Sequence, residues 1–547
     1  MRVSRTGFAG KQACGTLPRP MVHTPCRTLP DVTIRVGLPS AVALVLALLP
    51  GVPPLAAQPA SEAAPPASDR PNILFLFADD QRADTIRAWG NEWIDTPNLD
   101  RLAAEGLSFE RNYVFGSNSG AVCVPSRAMV LTGRSWMRSP NDMRGVPTLP
   151  RELETVGYRT FITGKWHNGE EALLRSFDRG TAVYLGGMAD HTRVEVQDID
   201  GGRLVRRRVG REFSSALFAD AVIAFLDEQA RLREQARAAG EAGSDQPFFA
   251  YVPFTAPHDP RQPPPEYRER YYRRNLPLPA NFMPQHPFDH GALILRDENL
   301  GAWPRTPEVI RDQLAEYYGL ITHLDEQVGR ILQALQENGQ ADNTVVVYAA
   351  DHGLAMGSHG LLGKQNLYEH SMRCPLIIRG PGIPQGSTDA LTYLFDLFPT
   401  LLGLGAAETP PGIDGRDLAA LWLGEGDTVW RQSLFLPYRD LMRSVRDERY
   451  KLIVYPKLNH RQLFDLADDP DELRNLAADP AHGQTLARLE GLLEGWRAAL
   501  GDSAPLVSSN PLPLRRDLTG QAREPDRWQP RWIVDKYFDP PASPDPR

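Results

Sequence analysis

Residues 72–80 read N-I-L-F-L-F-A-D-D, an apolar run that ends in two acids. Residues 344–352, T-V-V-V-Y-A-A-D-H, follow the same pattern. Such runs are typical of parallel strands covered on both faces. In an open α/β sheet the carboxyl ends of these strands form one ligand-binding edge. The side chains expected to meet there are Asp79, Asp80, Asp351 and His352.

These four side chains favour a metal site. Carboxylate oxygens are the ligands that hard cations such as Ca²⁺ and Mg²⁺ prefer. Either pair alone is more often a turn or capping aspartate. Because both pairs occur at the ends of two strands, a metal site is favoured over a turn or a cap.

The rest of the chain repeats strand and helix. Residues 160–163 and 248–254 form two more strand-like runs. Amphipathic patterns predict helices over 97–105, 214–238 and 309–338. This alternation predicts an α/β sandwich with a mostly parallel sheet.

The pattern of predicted secondary structure changes towards the C-terminus. Residues 444–455 predict a hairpin, 462–466 another strand and 486–500 an amphipathic helix. Beyond 503 the sequence is rich in proline and carries Trp528 and Trp532. Both an ordered and a flexible tail fit this composition, and packing of the indoles against the core is favoured over stacking on a sugar.

Composition limits the class of protein. The chain has 547 residues, 42% of them hydrophobic, and a formal net charge of -8. A nucleic-acid partner is not expected, because phosphate binding needs clustered basic residues. The one basic run, residues 203–211, is expected to be a solvated hairpin edge.

The N-terminal region predicts export. Residues 41–49 form an apolar stretch too short for a mature membrane helix and typical of a signal-peptide core. We assign residues 1–57 to a signal peptide and 58–70 to a linker, which predicts a periplasmic or secreted protein with no stable membrane span after cleavage. An uncleaved anchor is the alternative. Of the four cysteines, Cys123 and Cys374 remain in the mature chain, where one disulfide is arithmetically possible.

Cations and imidazoles follow other strand-like runs. Lys165 and His167 lie in G-K-W-H after one run, His258 closes another, and Lys364 comes shortly after Asp351. A lone histidine is more often structural. Several titratable groups at strand ends together indicate an anion-binding catalytic site.

Residues 123–134, C-V-P-S-R-A-M-V-L-T-G-R, complete this pattern. Proline near the start predicts that Cys123 begins a helix, where backbone N–H groups favour anions. The residues alone leave two alternatives, a thiolate nucleophile and a small buried side chain.

The motif C-x-P-S-R with A-x-x-x-T-G-R resembles the signature of the type I, formylglycine-dependent sulfatases of the alkaline phosphatase superfamily. Other elements follow in the family's order over about residues 71–479: D-D, G-K-W-H, P-H-x-P, A-D-H-G, G-K-x-N and D-G-R-D-L. The resemblance implies a large mixed, mostly parallel sheet sandwiched by helices, with a small C-terminal α+β subdomain. The corresponding segments are a catalytic domain over 71–428, a subdomain over 429–502 and a Pro-rich tail over 503–547.

The resemblance also implies roles for individual residues. A maturation enzyme would convert Cys123 to formylglycine (3-oxoalanine), whose hydrate attacks the sulfate ester. The implied ligands of one divalent cation, usually Ca²⁺, are Asp79, Asp80, Cys123, Asp351 and His352. The implied catalytic residues are Cys123, Arg127, Lys165, His167, His258, Asp351 and Lys364. His352 departs from the family, which often has asparagine there, so either metal or sulfate is its partner.

The expected function is hydrolysis of a sulfate ester, on a sulfated saccharide in preference to a small sulfated molecule. Two alternatives stay open. One is a phosphonate monoester or phosphodiester hydrolase of the same superfamily. The other is a non-catalytic protein that binds sulfated glycans.

Overall fold

The computed structural model describes residues 70–240, 246–423 and 430–538. The predicted signal peptide, all of the predicted linker except Arg70, and the boundary at 428 lie outside these residues. The strands in the described ranges are β1 (Asn72–Ala78), β2 (Leu107–Phe109), β3 (Asn112–Tyr113), β4 (Arg159–Lys165), β5 (Gly180–Tyr184), β6 (Glu195–Asp200), β7 (Arg203–Val209), β8 (Phe248–Pro253), β9 (Thr344–Ala350), β10 (Leu376–Arg379), β11 (Gly386–Thr388), β12 (Thr392–Tyr393), β13 (Leu434–Tyr438), β14 (Met442–Arg446), β15 (Tyr450–Tyr455) and β16 (His460–Asp465). The α-helices there are α1 (Pro97–Glu105), α2 (Cys123–Thr132), α3 (Leu149–Thr155), α4 (Glu170–Ser176), α5 (Ser214–Ala238), α6 (Pro265–Tyr272), α7 (Pro307–Glu337), α8 (Glu369–Met372), α9 (Leu397–Leu404), α10 (Ala420–Leu423), α11 (Gly483–Leu500) and α12 (Arg531–Tyr537).

A large mixed sheet lies at the centre, with the strand order β11-β2-β10-β9-β1-β8-β4-β5-β6-β7. Neighbouring strands from β9 to β5 are parallel, and antiparallel pairs flank them on both sides. Every residue of β1, β8 and β9 is buried. Burial on both faces explains why these strands are apolar after the polar first residues of β1 and β9, Asn72 and Thr344.

The helices form two groups that cover the sheet. In one group α7 packs against α1, α5 and α6, and in the other α2 packs against α3 and α9. The predicted bounds of α1 and α5 are confirmed, and α7 begins two residues before the predicted start. Thr306 caps α7 by accepting a hydrogen bond from the N–H of Val309 at 3.4 Å, and Pro307 suits its first turn.

A second, smaller sheet has the antiparallel order β13-β14-β15-β16, and α11 packs against β14 and β15. The hairpin predicted over 444–455 corresponds to β14 and β15. Together with the large sheet, this arrangement confirms the predicted fold class.

The segment after α11 is an ordered tail along residues 503–538. Leu518, Ile533 and Tyr537 anchor it as buried side chains. The basic run of residues 203–211 contains β7, which forms the predicted hairpin with β6. Both described cysteines are free. No helix in the described part of the chain is long and apolar enough to cross a membrane.

Candidate active site

The acids predicted at two strand ends lie side by side. β1 and β9 are parallel neighbours, and their register pairs Ala78 with Ala350. Asp79 and Asp351 therefore leave the sheet at the same level. The N–H of Asp351 donates to the carbonyl of Ala78 at 3.1 Å, and the N–H of Asp80 donates to Oδ1 of Asp351 at 3.0 Å. The acids thus converge as the strand pattern predicts.

Lys165 joins this group from the end of β4. Its ammonium forms an ion pair with Asp79, and both side chains are fully buried. The preceding residue, Gly164, has a φ of +107°, and a Cβ there would lie 2.0 Å from the carbonyl oxygen of Pro253. Only glycine permits this close approach of β4 to β8, which explains the G-K pair.

Cys123 is the first residue of α2 and faces the acids. Its Sγ lies 3.3 Å from Oδ1 of Asp79 and 3.7 Å from Oδ1 of Asp80. The Nζ of Lys364 lies 3.4 Å from the same sulfur. The predicted helix start therefore places residue 123 between acids and a cation.

Arg127, one turn further along α2, contacts Asp351 at the end of β9. Its Nε and Nη2 lie 3.0 and 2.9 Å from Oδ2 of Asp351, and Nη1 donates to the carbonyl of Lys165 at 2.9 Å. Lys364 forms an ion pair with Asp80. We call these buried charges the catalytic cluster: Asp79, Asp80, Asp351, Arg127, Lys165 and Lys364.

Three predicted histidines lie around the cluster. The Nε2 of His258 is 3.6 Å from Oδ2 of Asp80, and its Nδ1 is 2.7 Å from the carbonyl oxygen of Asp259. His167 has a φ of +72°, and its Nδ1 has no hydrogen-bond partner. Both ring nitrogens of the fully buried His352 also lack partners.

Among the described residues, one group has potential metal-ligand atoms that all lie within 4.8 Å of one another. It consists of Asp79, Asp80, Cys123 and His258. Asp351 instead pairs with Arg127, and His352 lies outside the group, so their metal roles stay predictions.

A cavity of about 840 Å³ opens onto these residues. Four predicted site residues line it: Cys123, His167, His258 and Lys364. The lining also includes Glu170 of α4, Arg207 of β7 and Trp528 of the tail. Trp528 is 58% exposed, so the prediction that it packs against the core is wrong for this residue.

Family models decide which proteins this chain is related to. Residues 71–407 match the model described as sulfatase. The chain belongs to the sulfatase family. Residues 357–499 of this sulfatase also match the model of the C-terminal part of N-sulphoglucosamine sulphohydrolase.

Individual relatives agree with this assignment. The N-acetylglucosamine-6-O-sulfatase of Bacteroides thetaiotaomicron is 26% identical, over 83% of this chain and 91% of its own length. The solved structure of a protein in complex with its substrate D-glucosamine-2-N,6-O-disulfate matches this fold with a TM-score of 0.65 and 24% identity. The match covers 80% of this chain and 99% of that chain. The phosphonate monoester hydrolase of Agrobacterium radiobacter has a TM-score of 0.62 and 24% identity, covering 82% and 100%. The resemblance to sulfatases is confirmed, and the protein is a sulfuric ester hydrolase acting on sulfated compounds.

Electrostatics distinguish the three acids of the sulfatase. Burial, together with Asp351, raises the pKa of Asp79. Burial raises the pKa of Asp80 to about 8, although Lys364 opposes it. Burial also acts upward on Asp351, but Arg127 and the two lysines outweigh it and hold its pKa below the usual range. The structure therefore favours the neutral form of Asp79 and Asp80 and the ionised form of Asp351.

The cysteine and histidines are also shifted. Burial, with the charges of Asp351 and Asp79, raises the pKa of the Cys123 thiol well above its usual value. Burial and nearby lysines lower the pKa of His167 and of His258 well below the usual value. Burial lowers the pKa of His352 to about 4.

Sequence reasoning missed the support behind His258. Asp259 accepts two hydrogen bonds from Arg296, at 2.6 and 2.9 Å, and one from Gln529 of the tail at 3.0 Å. The position of Asp259 inside P-H-D-P was a usable signal. Nothing in the sequence pointed to Arg296 or Gln529, because both reach Asp259 from distant segments.

Proposed function

We propose that this sulfatase removes sulfate from a sulfated saccharide, using formylglycine made from Cys123 and one bound Ca²⁺. The observation that carries the proposal is the position of Cys123, which begins a buried helix and lines the large cavity. Its raised thiol pKa keeps the sulfur protonated and therefore a poor nucleophile. A cysteine placed to attack but kept neutral fits a precursor that a formylglycine-generating enzyme modifies first.

The donor set fits a divalent cation. The raised pKa values of Asp79 and Asp80 mean that the buried acids would gain from additional positive charge. Asp79, Asp80 and residue 123 would hold the ion, with Asp351 beside them. Oxygen ligands favour Ca²⁺ over softer metals. When bound, the ion supplies positive charge that polarises the sulfate ester, and the aldehyde hydrate supplies a hydroxyl nucleophile.

The cations of the cluster would receive the sulfate group. Lys364 lines the cavity and pairs with Asp80, and the buried Lys165 pairs with the neighbouring Asp79. Each ammonium has three N–H donors, and the ion pair with its carboxylate does not use all three. The remaining donors would be available to the sulfate oxygens. Arg127 keeps Asp351 ionised and in place, so that carboxylate can accept the proton of the attacking hydroxyl.

The histidines would move the remaining protons. His258 Nδ1 lies 2.7 Å from the carbonyl oxygen of Asp259, and this contact orients the ring so that Nε2 faces Asp80. Because Nδ1–H donates to that carbonyl and the pKa of His258 is lowered, Nε2 would first have to take up a proton, which the negative charges of the bound ester and of Asp259 favour. Nε2 would then protonate the departing alcohol. His167, neutral because its pKa is lowered, would accept the proton released when the enzyme is regenerated.

A saccharide suits the dimensions of the site. The cavity of about 840 Å³ is far larger than a sulfate group needs, and its walls are both charged and aromatic. The relatives named for glucosamine sulfates support a sulfated amino sugar. The apolar stretch at residues 41–49 supports export to the periplasm or the medium.

A second candidate is hydrolysis of phosphonate monoesters or phosphodiesters. It is favoured by the shared fold with the phosphonate monoester hydrolase of Agrobacterium radiobacter. Both ester classes present an anion that the same cations could bind.

Parallel kinetics test the proposal. Purified, modified protein would be assayed on N-acetylglucosamine 6-sulfate, an aryl sulfate, an aryl phosphodiester and an aryl phosphonate, with Cys123→Ala as the blank. We expect the highest kcat/KM on the sulfated sugar. A large preference for the phosphodiester or phosphonate would contradict the proposal.

A further inference from the structure

The tail brings residues from outside the family match back to the active site. The two family matches end at residues 407 and 499, whereas the ordered tail continues to 538. Tyr537 donates to Oδ2 of Asp312 at 2.8 Å, and Arg523 donates to the carbonyl of Asn299 at 2.8 Å. Residues 524–536 are therefore held at both ends against the large domain.

Within this held segment, Gln529 reaches the support of His258. The side chain of Gln529 is buried, and its Nε2 donates to Oδ2 of Asp259 at 3.0 Å. Asp259 directly follows His258, the residue assigned to protonate the leaving alcohol. The tail therefore approaches the site on the side where the alcohol departs.

The preceding residue, Trp528, lines the cavity. Its backbone is fixed by a turn, since the N–H of Trp528 donates to Oδ1 of Asp526 at 2.8 Å. Arg527 lies over one face of the indole, 4.6 Å from the ring centroid, yet 58% of the residue is exposed. A large apolar surface thus remains open in a site lined by charges.

We propose that Trp528 is the platform on which the sugar ring of the substrate stacks. The proposal rests on the proposed function, because it assumes that the leaving alcohol is a saccharide. The C–H faces of a pyranose are apolar, and an indole offers a flat apolar surface with a positive rim that suits its hydroxyl groups. The buried anchor at Gln529 fixes the indole beforehand, so little ordering is needed when the sugar binds.

Binding to an inactive protein tests this platform apart from catalysis. Full-length Cys123→Ala protein would be titrated calorimetrically with N-acetylglucosamine 6-sulfate, glucosamine 2-N,6-O-disulfate and inorganic sulfate. Adding Trp528→Ala should raise the Kd of both sugars about tenfold and leave the Kd of inorganic sulfate unchanged. Trp528→Phe should recover most of the sugar affinity.

Trp93→Ala is the matched control, because Trp93 is 40% exposed and does not line the cavity. It should leave all three Kd values unchanged. The proposal is overturned if Trp528→Ala leaves sugar binding unchanged, if it weakens sulfate and sugars equally, or if the parent protein binds neither sugar more tightly than sulfate.

These outcomes are separate from the proposed function. Protein that hydrolyses no sulfate ester, yet binds the sugars in a Trp528-dependent way, would refute the function and retain the platform. Protein that hydrolyses sulfated sugars, yet binds them equally well without Trp528, would refute the platform and retain the function.

Discussion

Two groups of buried charges in the described chain invite comparison, one at the edge of the large sheet and one where the small sheet meets the large domain. The second group, the junction cluster, consists of Lys451, Glu369 and Glu472. Lys451 Nζ lies 3.0 Å from Oε1 of Glu369 and 2.9 Å from Oε1 of Glu472. Its members come from β15, from α8 and from the loop after β16, so their ion pairs fasten one sheet to the other domain.

The catalytic cluster is built differently. Its acids follow neighbouring parallel strands, and through Lys364 and the adjoining Cys123 it reaches a cavity of about 840 Å³. The junction cluster borders a smaller cavity of about 260 Å³ through its two glutamates. Burial of charge alone therefore does not mark a site. The contact with a helix-start cysteine and a large cavity does.

The largest effect is expected from Asp351→Asn in the catalytic cluster. The substitution keeps the shape but removes the carboxylate that pairs with Arg127. We expect kcat to fall about a thousandfold or more, as for removal of a group central to catalysis. Circular dichroism would confirm folding, and kcat within tenfold of the wild type would contradict the assigned role.

Removal of metal should affect only the catalytic cluster. Treatment with a chelator is expected to lower kcat about a hundredfold and to lower the thermal midpoint, because a tightly bound ion stabilises the folded state by about 3 kcal/mol at a hundredfold excess over its Kd. Added Ca²⁺ should restore both. Asp79→Asn should lose the Ca²⁺-dependent shift of the midpoint, whereas Lys451→Met should keep it. A shift of equal size in Asp79→Asn would place the ion elsewhere.

Lys451→Met should show the opposite behaviour. It leaves two buried carboxylates without their shared cation, which is expected to cost roughly 3 kcal/mol of unfolding free energy. Urea unfolding measures this loss, and kcat of the folded protein should stay within twofold. Arg449→Met removes an arginine whose side chain is half exposed and should change the urea midpoint less. Equal losses in the two variants would refute the junction role.

The smallest effect is expected from Glu472→Gln and depends on pH. Burial raises the pKa of Glu472 to about 7, although Lys451 opposes it. A raised pKa means that the folded state prefers the protonated form, so its contribution is full below about pH 4.5 and is lost as pH rises through 7.

The glutamine variant does not titrate at this position and lacks this loss. From pH 5 to pH 8 its unfolding free energy should therefore rise relative to that of the wild type by on the order of 1 kcal/mol. Urea midpoints at pH 5 and pH 8 measure the change. A difference between the two proteins that does not change with pH would contradict the assignment.

The sequence predicted those parts of the fold in which one physical cause dominates. Burial on both faces makes β1 and β9 apolar, so their ends and the acids that follow could be recognised. The start of α2 at Cys123 followed from proline and the motif. The short strands β2, β3 and β12 carry no comparable pattern, because two or three residues are too few to show a period.

The site was predictable where residues are adjacent in sequence to a strand end. Lys165, His258 and Asp351 are of this kind. The support of Asp259 by Arg296 and Gln529 joins three distant segments, so only the folded chain shows it. The position of Trp528 depends on the path of the tail, which composition left open between ordered and flexible.

The mass of the tryptic peptide that carries residue 123, taken from natively produced and active protein, tests the central claim most directly. The proposed oxidation predicts a loss of about 18 Da relative to cysteine, with the modified fraction rising in proportion to kcat across preparations. An unmodified thiol in protein that hydrolyses sulfate esters at full rate would contradict the account.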